Sequence, residues 1–458
     1  MFEMTFTEKR LAEFVESLEY RQIPKNVIEK AKYHLLDTLG CIIIGSRTSE
    51  FKKIFSVIMG FWSPVSKTIN EKKDSISYLD TAFLLGSASH VYEFDDLHRA
   101  SVSHPGAVVI PAALALGKVL HIDGKMFLSS IIAGYEAMIR VALALGKSHY
   151  DFWHTTSTSG VFGSAAAASK LLNLDSEGIL NAFGNAGTQA SGLWQFKFDG
   201  AMSKILHTGR AAQSGLLSAL LAKEGFTGAR RILEGEKGLL RATSRDYDPR
   251  KIYEGLGQSF KILETSIKSY PSCGHTHPAI YAAIKIVSRE SFTPLDIQEV
   301  SIRTYSTAIN IAGVDNPINA YQAKFSLKYC VAVALKEGKV ELQHFNDVLL
   351  RDANIKELMD KINVSADPEL DKRYPNEWIA VVSIKLKDGR KFEEIIKYPD
   401  GDPNDEIWKQ QVTNKFASLT SLYIEESVLK EIINKVQTLE SLNDINFLTE
   451  LFDILLIS

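Results

Sequence analysis

Apolar residues Leu11, Phe14, Val15 and Leu18 recur at i, i+3, i+4 and i+7, which predicts an amphipathic helix closed by Pro24. The same periodicity predicts helices over 26–45, 79–93, 106–119, 125–145, 160–172, 176–190 and 203–224, separated by short turns carrying Gly, Pro, Ser or Asp. Segments such as SGVFGSAAAASKLL and HTGRAAQSGLLSALLA are rich in small residues, so helix backbones can approach closely inside a large bundle. From about residue 260 the period falls to two. Val300, Ile302 and Thr304 share one face, and Val382, Ile384 and Leu386 alternate with Ser383, Lys385 and Lys387. Asp388-Gly389 then signals a hairpin. With helices expected at 274–289 and 322–337, residues 263–404 read as a compact α+β unit. The text after it, KQQVTNKFASL and ESVLKEIINKVQTL, is helical again. The expected fold is therefore mainly α, a large helical domain of residues 1–262 completed by 405–458, with 263–404 inserted.

Composition narrows the class. A chain of 458 residues has room for two or three domains at about 150 residues each. Hydrophobic residues at 45% and charged residues at 23% are ordinary for a globular protein. Lys+Arg 52 against Asp+Glu 55 leaves a net charge of -3, so no global positive field favours nucleic acid or anionic lipid. Cys41, Cys273 and Cys330 lie far apart, which excludes a disulfide framework and the closely spaced thiolates of an iron–sulfur cluster. The opening MFEMTFTEKR lacks a basic and then apolar leader, and no run reaches 18 uncharged apolar residues. The expectation is a cytoplasmic protein without a membrane span.

Four segments concentrate chemistry. HVYEFDDLHRASVSHPG holds His90, Glu93, Asp95, Asp96, His98, Arg99 and His104. A magnesium DDxxD signature fails because Arg99 stands at its third acid, and Asp95, His98 and His104 match no common zinc or iron spacing. Acid/base chemistry remains, with a carboxylate orienting a histidine, beside the plain alternative of a solvated loop and helix cap. In DFWHTTSTSGVFGSA, His154 and Thr155 precede a helix start able to receive a carboxylate, or simply form its N-cap. FDGAMSKILHTGRAAQSG sets Lys204, His207 and Arg210 on an otherwise apolar helix, where a cation needs an anionic partner, either a bound polycarboxylate or the acids of the first segment. SIKSYPSCGHTHPAI brings Lys268, Tyr270, Cys273, His275 and His277 around a Pro turn. GLGQSF ends in Phe and no GxxxxGK[ST] loop occurs, so nucleotide-dependent chemistry is disfavoured.

Taken in order, AKYHLLDTLGCIIIGS, AFLLGSASHVYEFDDLHRASVSHPGAVVIPAALALG, the His154 segment, KILHTGRAAQSG with EGFTGARRILEG, KSYPSCGHTH, QAKFSLKY and DGRKF with YPDGDP resemble the MmgE/PrpD family over nearly the whole chain. The resemblance implies a helical domain built from both chain ends, a smaller α+β lid domain and a homodimer. It also implies chemistry without metal or cofactor on small anionic polycarboxylates, as in 2-methylcitrate dehydratase, cis-aconitate decarboxylase and iminodisuccinate epimerase. It implies an interdomain cleft lined by the acid-rich loop, with Asp95, His104, His154, Lys204 and Lys268 catalytic. Glu93, Asp96, Thr155, His207, Arg210, Tyr270 and Cys273 are the expected substrate contacts. Three departures stand out. Glu93 replaces a usual Asp, Leu85 a common Asn, and Cys273 a histidine of the decarboxylase. The leading expectation is a lyase dehydrating a hydroxy di- or tricarboxylate, with an epimerase or a non-catalytic carboxylate binder as alternatives.

Overall fold

The computed structural model describes residues 6–60, 76–403 and 408–448. The ends of the expected 1–262 and 405–458 segments therefore lie partly outside the described residues. The protein is mainly α, with small sheets.

The main core collects apolar side chains from Leu11 to Ile267 and again from Val412 to Leu448. Its helices are Thr7–Ser17, Lys25–Gly45, Ser49–Gly60, Tyr78–His90, Gly106–Leu120, Gly124–Leu145, Thr155–Leu171, Ser176–Gly187 and Lys204–Lys223, joined late in the chain by Trp408–Thr420 and Glu426–Gln437. Small residues make the crossings possible. A Cβ on Gly45 would strike the Ala88 backbone, and one on Gly215 would strike the Ser164 hydroxyl. Gly124–Leu145 is long and apolar enough to cross a membrane, yet 94% of that stretch is buried in the protein. Its two interior charges pair with each other, Arg140 Nε donating to Glu136 at 2.8 Å.

A second core, residues 194–396, is built around a four-stranded sheet. Its strands are β3 (Ile297–Thr304), β4 (Ile362–Ala366), β5 (Ala380–Leu386) and β6 (Lys391–Ile396), ordered β4-β3-β5-β6. The β3/β4 pair is parallel; β3/β5 and β5/β6 are antiparallel, with Ser301 opposite Ser383. Gly389, at φ 92°, closes the β5/β6 hairpin in a conformation that favours glycine. Helices His277–Arg289 and Leu327–Glu337 pack with this core. A two-stranded ladder, β1 (Leu97–His98) with β2 (Thr265–Ser266), ties the histidine-rich loop to the chain entering Lys268.

The expected elements form, with shifted ends. The first helix stops at Ser17, and the expected 79–93 helix stops at His90, short of Glu93, which takes φ 58°, a left-handed conformation. The expected 160–172 helix begins earlier, at Thr155: Ser159 Oγ donates back to the Thr155 carbonyl at 2.7 Å, so the hydroxyl run lies inside the helix. Helices expected from 274 and 322 begin at His277 and Leu327, after short turns.

Candidate active site

The Tyr78–His90 helix delivers His90, and the loop after it is anchored by Asp96. That carboxylate accepts from the Gly106 backbone N–H at 2.9 Å, from the Tyr135 hydroxyl at 2.7 Å, and pairs with His34 at 2.8 Å. It caps the Gly106–Leu120 helix, whose own N-cap, Pro105, offers no side chain for this. Asp96 is thereby a scaffold for the loop, bonded on the core side.

With the loop fixed, Asp95 lies against two imidazoles. Both its oxygens are 2.9 Å from His90 Nδ1, and Oδ2 is 3.3 Å from His104 Nδ1. His104 Nδ1 also lies 2.7 Å from the Asp96 carbonyl, which only accepts, so Nδ1 carries the proton and Nε2 is left as the basic nitrogen. Burial alone would raise the Asp95 pKa, but His90 and His104 outweigh it and hold the carboxyl well below its usual range. Burial lowers the His104 pKa, with Asp95 opposing. His90, Asp95 and His104 each bring one ligating atom within 4.8 Å of the others, the spacing of a three-ligand metal site, although Asp95 already joins both rings.

His154, the N-cap of Thr155–Leu171, completes a group of rings. Its centroid is 5.8 Å from His90, 6.4 Å from His104 and 5.2 Å from His207, and its Nδ1 is 3.1 Å from His207 Nδ1. Burial and the neighbouring Lys204 depress His154 well below its ordinary pKa and bring His207 to about 4. Both are neutral at pH 7.

Glu93 links this group to two cations. Lys204, at the start of Lys204–Lys223, pairs with its carboxylate, and Lys268 Nζ lies 3.6 Å from Oε2 while donating to the Glu93 carbonyl at 2.7 Å. Burial would raise the Glu93 pKa; Lys204, His90, Lys268 and His104 overcome it and hold the group ionised. Cys273 is buried nearby, its thiol pushed up by burial against Lys268 and Lys204. Thr155 lines a neighbouring cleft of about 770 Å³, with Tyr150, Trp194, Lys197 and Tyr374. The histidines are not on that cleft's wall. A separate void of about 20 Å³ is lined by Glu93, Lys204 and Lys324.

Thus Asp95, His104, His154, Lys204, Lys268, Glu93, His207 and Cys273 gather at one place, and Thr155 flanks it. Arg210 does not join them: it is exposed and donates to Gln213 at 2.6 Å. Tyr270 packs edge-on against His277 at 5.1 Å, within the second core. Two central residues had no expected role in the site. His90 sits in the first segment, where its position at a helix end is unremarkable until the fold turns it onto Asp95. Lys324, within QAKFSLKY, donates to the Val91 carbonyl at 3.0 Å, and burial lowers its pKa to about 8 despite attraction from Glu93.

Neutral His104, His154 and His207 beside ionised Glu93 and Asp95 and two buried lysines are the equipment of an acid/base enzyme acting on an anionic substrate. The chain belongs to the MmgE/PrpD family: residues 9–252 match the MmgE/PrpD N-terminal domain and residues 270–441 its C-terminal domain. It is 27% identical to cis-aconitate decarboxylase of Aspergillus terreus (strain NIH 2624 / FGSC A1156), over 97% of this chain and 95% of that one. It is 26% identical to the Homo sapiens cis-aconitate decarboxylase, over 95% and 92%. It is 25% identical to 2-methylcitrate dehydratase of Escherichia coli (strain K12), over 84% of each. These relatives are lyases, which supports lyase chemistry at the level of the family.

Proposed function

We propose that the protein is a lyase that dehydrates a small hydroxy di- or tricarboxylate without metal or cofactor, with residues 1–262 and 405–458 as the helical domain, 263–404 as the lid and a homodimer as the assembly. The observation that carries this reading is the pairing of a neutral, oriented His104 with the buried lysines around Glu93. Substrate carboxylates are held by Lys204 and Lys268, which oppose the negative charge that builds when a proton leaves the adjacent carbon. A neutral imidazole takes that proton, the C–H electron pair becomes the C=C bond, and the β-hydroxyl leaves with a proton as water. His104 and His154 are the two rings placed for this work, one of them taking the proton as base and, as the imidazolium it becomes, returning it to the departing hydroxyl; Asp95 holds the ring of His104. A ring that starts neutral gains acidity for the second transfer by keeping the proton it has just received.

The relatives include decarboxylases, and loss of CO2 passes through a related carbanion, so the test separates the fates. The protein is incubated in D2O with citrate, 2-methylcitrate, isocitrate, tartrate, aspartate-like acids and cis-aconitate, followed by proton NMR. A vinyl signal from a hydroxy acid is expected, together with its loss, by about 10²-fold or more, in His104→Ala and Lys268→Ala variants that retain wild-type circular dichroism. Deuterium exchange or epimerisation without unsaturation replaces the dehydratase with an epimerase. Full activity in both variants overturns the site assignment.

A further inference from the structure

Between Lys204 and Lys268 there is already an anion, and it belongs to the protein. The Glu93 carboxylate pairs with Lys204, lies 3.6 Å from Lys268 and 3.4 Å from His90 Nε2, and is 5% exposed. Three buried amines, Lys204, Lys268 and Lys324, surround this one carboxylate, while Asp95 is engaged by His90 and His104. The cavity that Glu93, Lys204 and Lys324 line is about 20 Å³, room for one water, against roughly 300 Å³ or more in small-ligand pockets. A polycarboxylate does not fit that cavity beside Lys204 while Glu93 stays where it is. The residue is also held at φ 58°, uncommon outside glycine, asparagine, aspartate and histidine, so its backbone is one the surroundings must enforce.

We infer that Glu93 is a displaceable plug, its carboxylate occupying the subsite of a ligand carboxylate between Lys204 and Lys268, so that an anionic ligand binds by exchanging with it. This rests on the reading of the site as one for polycarboxylates. The exchange swaps one ion pair for another inside the protein, which avoids stripping water from two bare lysines each time a ligand enters. It also makes apparent affinity depend on how often Glu93 vacates the subsite: if that is one molecule in ten, affinity falls about tenfold below its intrinsic value.

The variant that tests this is Glu93→Asp. It keeps the charge, tolerates the left-handed backbone and withdraws the carboxylate by one methylene. Binding is measured by calorimetry with tricarballylate, a tricarboxylate with no hydroxyl to eliminate, so turnover plays no part. Glu93→Asp is expected to bind about tenfold more tightly than wild type, and Glu93→Gln at least as tightly. Equal or weaker binding by Glu93→Asp overturns the plug; a gain confined to Glu93→Gln overturns it equally, since removal of charge alone would explain that. Should Glu93→Asp not fold, Glu93→Gly decides, with formate as the probe: a formate-dependent rise in Tm absent from wild type supports the subsite, and no rise overturns it. Failure of the proposed reaction would appear separately, as silence in the D2O experiment with the tricarballylate result unchanged.

Discussion

Asp95 is the residue through which the acid/base geometry is set, because it holds His90 at 2.9 Å and His104 at 3.3 Å while the neighbouring carbonyl of Asp96 fixes the His104 tautomer. The sign of the pH dependence follows. A histidine acting as base must be neutral, and burial places the His104 pKa below 6.5, so the acid limb of kcat/KM is expected below that value. Asp95→Asn removes the negative charge that opposes this lowering and leaves one amide oxygen as acceptor for two imidazoles. Its kcat is expected to fall by about 10²-fold or more and its acid limb to move further down; an unchanged pH profile would show that Asp95 does not act through His104. Of the site, the charged loop 90–104 and the basic helix at 204–210 were legible as dense clusters of ionisable residues. What sequence spacing does not report is partnership. His34, from the Lys25–Gly45 helix, meets Asp96 at 2.8 Å across 62 residues of chain, and Arg210 faces solvent although Lys204 on the same helix is buried.

At the scale of elements, the site depends on how closely the Lys204–Lys223 helix lies against Tyr78–His90, since one carries Lys204 and His207 and the other ends in His90. Gly209 makes the approach possible. A Cβ there would meet the Ser87 hydroxyl and stand 2.9 Å from the Phe83 ring. Gly209→Ala is expected to cost about 1–3 kcal/mol by overpacking, seen as a lower Tm. It should also lower turnover, because separating the helices draws Lys204 away from Glu93; a destabilised variant with full activity would mean that this crossing does not position the cation. Helices at 106–120 and 124–145 and the 386–391 hairpin were readable because periodicity and turn chemistry are local. The early start of Thr155–Leu171 was not, since hydroxyl side chains favour caps in general, whereas here Thr158 and Ser159 lie inside the helix with their hydroxyls bonded back to the Thr155 carbonyl. The two-residue ladder joining Leu97 to Ser266 is too short to leave any period at all.

Across the whole molecule, the neutral histidines make acid an adversary of the fold. Burial lowers His149 and His207 to about 4 and His275 to about 3, so these rings stay unprotonated in the folded state where the unfolded chain, near 6.5, takes up protons. A group whose folded pKa is depressed stabilises the fold above its unfolded pKa and loses that contribution as pH falls through the interval. Ionised Glu93 and Asp95 act in the same direction over a lower interval. Asp37, raised to about 6 by burial despite Lys415, and Glu8 and Glu136, also raised, act oppositely, since their folded forms hold protons the unfolded chain has released. His34, His98, His104, His154, His277 and His344 are lowered too, so the histidines outnumber these acids; Tm is expected to fall steadily from pH 6.5 to pH 4, and guanidinium titrations should show proton uptake on unfolding throughout that range. A tightly bound tricarballylate should shift the profile upward at every pH by mass action, and most where the ligand is fully ionised and the site histidines neutral. A Tm that rises on acidification across that interval would mean that the buried acids, not the imidazoles, govern the stability of this core.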